Sequence, residues 1–183
     1  MSDDRLQQAL AHLNQGDPVA AATVAQAVLD DDPRSVRGLF VMAHALRRLG
    51  KPTAAARAAR AALSVDPTDA QLRLLLGRSL GDAGDHEQAL QELQALVQDT
   101  PSAPAWTALG VARQRAGDPV AAEEAHRRAL ALSATSVDAW TNLARALHDQ
   151  GRHAEAASAA MRALAERKDH LPAAVNASLA LEA

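Results

Sequence analysis

A glycine-centred turn returns along the chain at an almost constant interval: Gly16-Asp17-Pro18, Gly50-Lys51-Pro52, Gly84-Asp85-His86, Gly117-Asp118-Pro119 and Gly151-Arg152-His153. Successive glycines are 34, 34, 33 and 34 residues apart. A fixed period in this range is the mark of a stacked repeat, in which each unit buries its apolar face against its neighbours. The 183 residues therefore form one expected array, 1–183, with units at about 2–35, 36–69, 70–102, 103–136 and 137–170 and a capping helix at 171–183.

Each unit reads as helix A, turn, helix B. Alanine dominates, tyrosine is absent, and Phe40, Trp106 and Trp140 are the only aromatic residues. Strong helix formers with few strand formers predict an all-α fold. The A helices are expected at 2–15, 35–49, 68–83, 103–116 and 136–149, the B helices at 18–31, 52–65, 86–98, 119–132 and 153–167, and a last helix at 171–182. A glycine after helix A suits a left-handed C-terminal stop. Asp17 and Asp118 then stand at N-cap positions, with Pro18 and Pro119 at the first helical position. Asp32-Pro33, Asp66-Pro67 and Thr100-Pro101 end B helices, because proline disfavours helix in the residue before it. Ser35, Thr68, Ser102 and Ser136 are candidate caps for the next A helices.

The packing positions share the period. Leu39, Arg73, Trp106 and Trp140 are equivalent, followed three residues on by Met42, Leu76, Leu109 and Leu143. Small residues come next (Ala43, Gly77, Gly110, Ala144), and others (Ala55, Ala89, Ala122, Ala156) lie where helix B should cross helix A. Alanine-lined crossings need little side-chain volume, which suits a core with few aromatics.

This pattern, Trp-x2-Leu-Gly/Ala with a later Gly and Ala, resembles that of tetratricopeptide repeats. Its clearest copies are Trp106, Leu109, Gly110, Gly117 and Ala122, and Trp140, Leu143, Ala144, Gly151 and Ala156. The resemblance covers nearly the whole chain and implies a right-handed superhelical solenoid of antiparallel helix pairs. There are departures. The first unit has Arg5 and Gln8 at apolar positions and uses Leu6, Leu10 and Leu13. The fourth and fifth lack the terminal proline, having Ala134 and Lys168. The third is one residue short, which predicts an altered joint near Thr100-Pro101.

In this family helix A lines the concave face, which commonly binds an extended peptide or a helix. That mapping gives Arg37, Phe40, His44, Arg47 and Arg48 in the second unit, and Leu74 and Arg78 in the third, with Gln71 and Asp82 beside them. It gives Val111, Gln114 and Arg115 in the fourth, with Thr107 beside them, and Thr141, Arg145 and His148 in the fifth. Arginine forks suit carboxylates, so an acidic or C-terminal peptide is the expected ligand class, with Phe40 and Leu74 as apolar contacts. The family's clamp on chaperone C-termini is not carried over, since its asparagine positions hold His44, Arg78, Val111 and Arg145.

The expected function is a non-catalytic protein–protein interaction scaffold. The alternative is a substrate-recruiting module of a larger bacterial enzyme of glycosyltransferase, sulfotransferase or oxygenase type. A third option is self-association through the apolar last helix, with Val175, Leu179 and Leu181. The absence of cysteine excludes disulfides, zinc–thiolate sites and cysteine nucleophiles. His148 and His153 are five apart across a turn and the other histidines are scattered, so neither metal nor cofactor is expected. Asp30-Asp31-Asp32 alone does not make a calcium loop. A net charge of −3 without long like-charged runs gives no general attraction to nucleic acid or membrane. A polar N-terminus leading straight into an amphipathic pattern makes the cytoplasm the expected location.

Overall fold

The computed structural model describes residues 2–182, and side-chain surroundings for 4–180. The side chain of Leu181 lies outside the described residues. Eleven helices and no strand occur among them: α1 (Ser2–Asn14), α2 (Pro18–Asp31), α3 (Val36–Arg48), α4 (Pro52–Leu63), α5 (Ala70–Asp82), α6 (His86–Asp99), α7 (Ala103–Arg115), α8 (Pro119–Leu132), α9 (Val137–Asp149), α10 (His153–Glu166) and α11 (Leu171–Glu182). The odd-numbered helices are the A helices and α11, and the even-numbered are the B helices. None is long and apolar enough to cross a membrane.

Local chemistry sets the boundaries. All five turn glycines have φ between 70 and 86°. At Gly50 this left-handed turn ends α3 and lets the next amide, of Lys51, donate to the Leu46 carbonyl at 2.9 Å. Asp17 and Asp118 cap α2 and α8, accepting from the amides of Ala20 and Ala121 at 2.9 Å each. Ser35, Ser102 and Ser136 cap α3, α7 and α9. The cap of α5 differs from expectation: it is Asp69, which accepts from Gln71 N (2.7 Å) and Leu72 N (3.1 Å). Thr68 instead turns its hydroxyl to Asp66 at 3.1 Å. A carboxylate one residue later out-competes the hydroxyl for the free amides of the first turn.

The chain divides into two compact units, Met1–Glu92 and Leu93–Ala183. In the first, α1 to α5 pack in sequence order and successive A helices also touch, α1 with α3 and α3 with α5. Its core is Ala9, Leu13, Ala21, Ala25, Val41 and Ala45, with a second cluster of Leu39, Ala62 and Leu72. Leu6 and Leu13 are buried, while Arg5 turns outward to Asp31 at 2.7 Å. In the second unit, α7 to α11 follow the same scheme, with α7, α9 and α11 in contact. Its core joins Leu130, Leu143 and Leu147 to alanines of α8, α9, α10 and α11. The crossing alanines Ala55, Ala122 and Ala156 are fully buried.

The departures from the repeat have structural answers. Arg73 stands at the tryptophan position of its unit, and its Nε–H donates to the Pro67 carbonyl six residues back (3.3 Å). Trp140 does the same through its indole N–H to Ala134 O (2.7 Å). The missing residue of the third repeat comes out of the joint: residues 100–102 connect α6 to α7, against 133–136 and 167–170 for the next two joints.

Candidate functional site

In the first unit, residues 37, 40, 44, 47 and 48 are spaced three, four or one apart on α3, so they form a stripe along one side of the helix. The α5 residues Gln71, Leu74, Arg78 and Asp82 form the matching stripe. Arg47 ties the two together through Asp82, Nε to Oδ2 at 2.6 Å. Arg48 reaches the other way and donates to the Leu13 carbonyl at the end of α1. Between them, the His44 ring meets Phe40 edge-on, with centroids 4.6 Å apart.

His44 reports the local electrostatics. Burial first, then the charges of Arg47, Arg48 and Arg78, push its pKa down from 6.5 to about 4. Three guanidinium groups from two helices thus act on one point, and the imidazole there is neutral at physiological pH.

Next to this cluster, toward the N-terminal end of α3, is a cleft of about 290 Å³ lined by α1, α3 and α5. Leu6, Val41 and Leu72 form its buried floor, Leu10, Val36 and Phe40 its walls, and Arg37, Asp69 and Gln71 its polar edge. Of these, Arg37, Phe40 and Gln71 are legible in the sequence as face residues and Leu6 and Leu10 as the first repeat's apolar positions, whereas Val36, Val41, Asp69 and Leu72 carry no signal of their own. The signal in the sequence was the displacement of the first repeat's apolar residues to Leu6 and Leu10.

Three residues expected on the open face are buried: Leu74 and Thr107 are each 7% exposed and Thr141 8%. Thr141 turns its hydroxyl onto Val137 O at 2.8 Å, and Asn176 of α11 donates to its carbonyl at 2.9 Å. Phe40 is half-buried and packs on both core clusters of its unit, so it is a wall rather than a free aromatic.

The second unit holds the remaining expected residues more separately. Gln114 is hydrogen-bonded to Asp149. Arg145 is exposed and donates to Asn142 at 3.3 Å. His148 meets His153 edge-on at 4.9 Å. Val111 is half-buried and Arg115 exposed. A shallow cleft of about 410 Å³ lies between α9 and α11, with Thr141, Asn142 and Arg145 on one side and Leu171, Pro172 and Val175 on the other. Nothing in the sequence marks this cleft, because the apolar residues of α11 fit a capping helix equally well.

No cluster of three or more metal-ligating side chains occurs among the described residues. The three adjacent aspartates are separately engaged: Asp30 by Gln26 (2.8 Å), Asp31 by Arg5 (2.7 Å) and Asp32 by the Arg34 amide (3.0 Å).

Known proteins share this fold. A TPR repeat-containing protein of Pseudomonas aeruginosa is 46% identical over 65 residues, which are 35% of this chain and 62% of that protein, so the match spans less than two thirds of the relative. A thermophilic TPR protein of Thermus thermophilus superposes over 100% of both chains with a TM-score of 0.87 at 22% identity. PilW, described as a widely conserved type IV pilus biogenesis factor, superposes over 99% of this chain and 89% of its own with a TM-score of 0.82, also at 22% identity. The sequence profile of the tetratricopeptide repeat matches residues 6–41, 40–104 and 107–172. With turn glycines, caps and small-residue crossings recurring in register over nearly its whole length, the chain belongs to the tetratricopeptide repeat family.

Proposed function

We propose that the protein is a non-catalytic interaction scaffold and that the α3/α5 face of its first unit binds an acidic or C-terminal segment of a partner protein. The observation that carries this reading is that Arg47 of α3 already pairs with a carboxylate of α5, Asp82, at 2.6 Å, beside a His44 whose pKa is lowered by burial and by the charges of Arg47, Arg48 and Arg78. Arginine pairs a carboxylate with directed, charge-assisted hydrogen bonds, and a half-buried setting screens those bonds less than open solvent does. Asp82 already holds Arg47 in this way, so a ligand carboxylate would join or displace an existing pair. The family's common use in protein–protein contacts supports the same conclusion.

The test is charge reversal. Arg47→Glu/Arg78→Glu should lower affinity for acidic peptides at least about tenfold in fluorescence anisotropy, with the helical circular dichroism retained. Undiminished binding by the double variant would remove the α3/α5 face from consideration.

A further inference from the structure

We propose that the α1/α3/α5 cleft is an anchor pocket, and that the first unit reads two features of one partner segment: a large apolar side chain seated in the cleft, and a carboxylate about two helical turns away at the arginine cluster. This rests on the acid-binding reading above and adds to it the apolar determinant and the spacing.

The cleft has the chemistry of an anchor site. Its floor is apolar and buried, and three helices of three successive repeats build it, so it is preformed. Its volume of about 290 Å³ admits one aliphatic or aromatic side chain. The Asp69 carboxylate at its edge caps α5 through Oδ1, accepting from the amides of Gln71 and Leu72.

Charge selects the partner. The α3 and α5 stripes and the cleft edge carry four arginines (37, 47, 48 and 78) and two carboxylates (Asp69 and Asp82). A basic segment is repelled and an acidic one attracted. The spacing follows from α3 itself. Phe40 walls the cleft and Arg47 lies seven residues on, which is about 10 Å along the helix axis. An extended ligand covers that distance in about three residues, and a helical one in about seven. His44 sits between the two subsites in contact with Phe40, so a bound carboxylate counteracts the arginine charges and raises its pKa.

The test uses the full chain and two sets of synthetic peptides, each with one leucine and a pair of glutamates. One set places them three residues apart in a Gly/Ser host, the other seven apart in an Ala/Gln host. Controls change the peptide leucine to alanine, the glutamates to glutamine, or shorten the spacing. The expected result is that the leucine-to-alanine change weakens binding about tenfold or more. The glutamate change and the shortened spacing should weaken it similarly, and binding should raise the pKa of His44 followed by NMR. Leu10→Glu should abolish the dependence on the peptide leucine; the peptide-side changes give the same answer if that variant folds poorly. Peptides that bind through Arg47 and Arg78 but are indifferent to leucine would overturn the anchor pocket and leave the acid-binding face standing. Failure of every peptide to bind below about 1 mM would overturn both.

Discussion

Gly110 and His126 are a matched pair. A Cβ built on Gly110 would lie 2.3 Å from Cε1 of the His126 ring, which is fully buried and has no protein hydrogen-bond partner on either nitrogen. The corresponding pairs sixteen residues apart are Ala9/Ala25, Ala43/Ala59, Gly77/Leu93 and Ala144/Ala160. A large residue on helix B thus accompanies glycine on helix A, and alanine accompanies alanine. Gly110→Ala should destabilise by about 1–3 kcal/mol through overpacking. Gly110→Ala/His126→Ala recreates the pair found at Ala43/Ala59 and should lose less than the two single changes summed. Urea denaturation of the four proteins measures the coupling.

The same histidine makes stability depend on pH. Burial, and then the charge of Arg145, lower the His126 pKa from 6.5 to about 4. Between those values the unfolded chain binds more protons than the folded one, so stability falls as pH drops from 6.5 toward 4. The contribution of His126 is up to about 3 kcal/mol, and His44 adds in the same window. His126→Leu should flatten the dependence of the melting temperature on pH across that range. It should also raise stability at neutral pH, because two unsatisfied buried nitrogens are removed. A slope unchanged by the substitution would assign the dependence elsewhere.

The helices obey their local sequence closely, and Thr68 is informative because it does not. Residues 68 and 69 are both good caps, and either starts α5 within the same turn. The carboxylate takes the first-turn amides, so the helix begins at Ala70. Asp69→Ala should therefore cost about 1 kcal/mol and Thr68→Ala close to nothing in thermal denaturation. Glu123 illustrates a link between B helices and turns that no single repeat predicts. It pairs with Arg152 at 2.6 Å and Arg127 at 2.9 Å and accepts from Gln150 at 2.8 Å. Burial works against its ionisation, but the Gln150 and Arg127 hydrogen bonds and the arginine charges prevail, and its pKa is lowered.

At the scale of the molecule, α11 closes the second unit. Its inward alanines, Ala173, Ala177 and Ala180, are buried, while Leu171, Val175 and Leu179 are 76%, 55% and 48% exposed. Deleting the residues after Lys168 uncovers the apolar faces of α9 and α10 and removes the Asn176–Thr141 bond. Such a deletion should melt earlier and aggregate, since stacked repeats depend on a covered end. Light scattering alongside a melting curve checks this; a monomer with unchanged melting would show that α11 is dispensable.

The sequence alone determined what depends on a few adjacent residues. The turn glycines, the Asp and Ser caps and the Asp-Pro stops placed every described helix within two residues, because capping and φ preferences act over one turn. The fixed period made the family legible, and its spacing brought His44, Arg47 and Arg48 onto one side of α3. Only the tertiary structure decided which of those positions stay open. Leu74 and Thr141 hold the same repeat position as Phe40, yet they are buried whereas Phe40 walls a cleft. Exposure is set by what packs alongside, as Asn176 and His170 of a later segment do at Thr141. The α1/α3/α5 cleft likewise needs Leu6, Phe40 and Leu72, residues more than thirty positions apart that meet only when three repeats stack. A period can assign a residue to a helix face, but the contacts across that face depend on the neighbouring repeats.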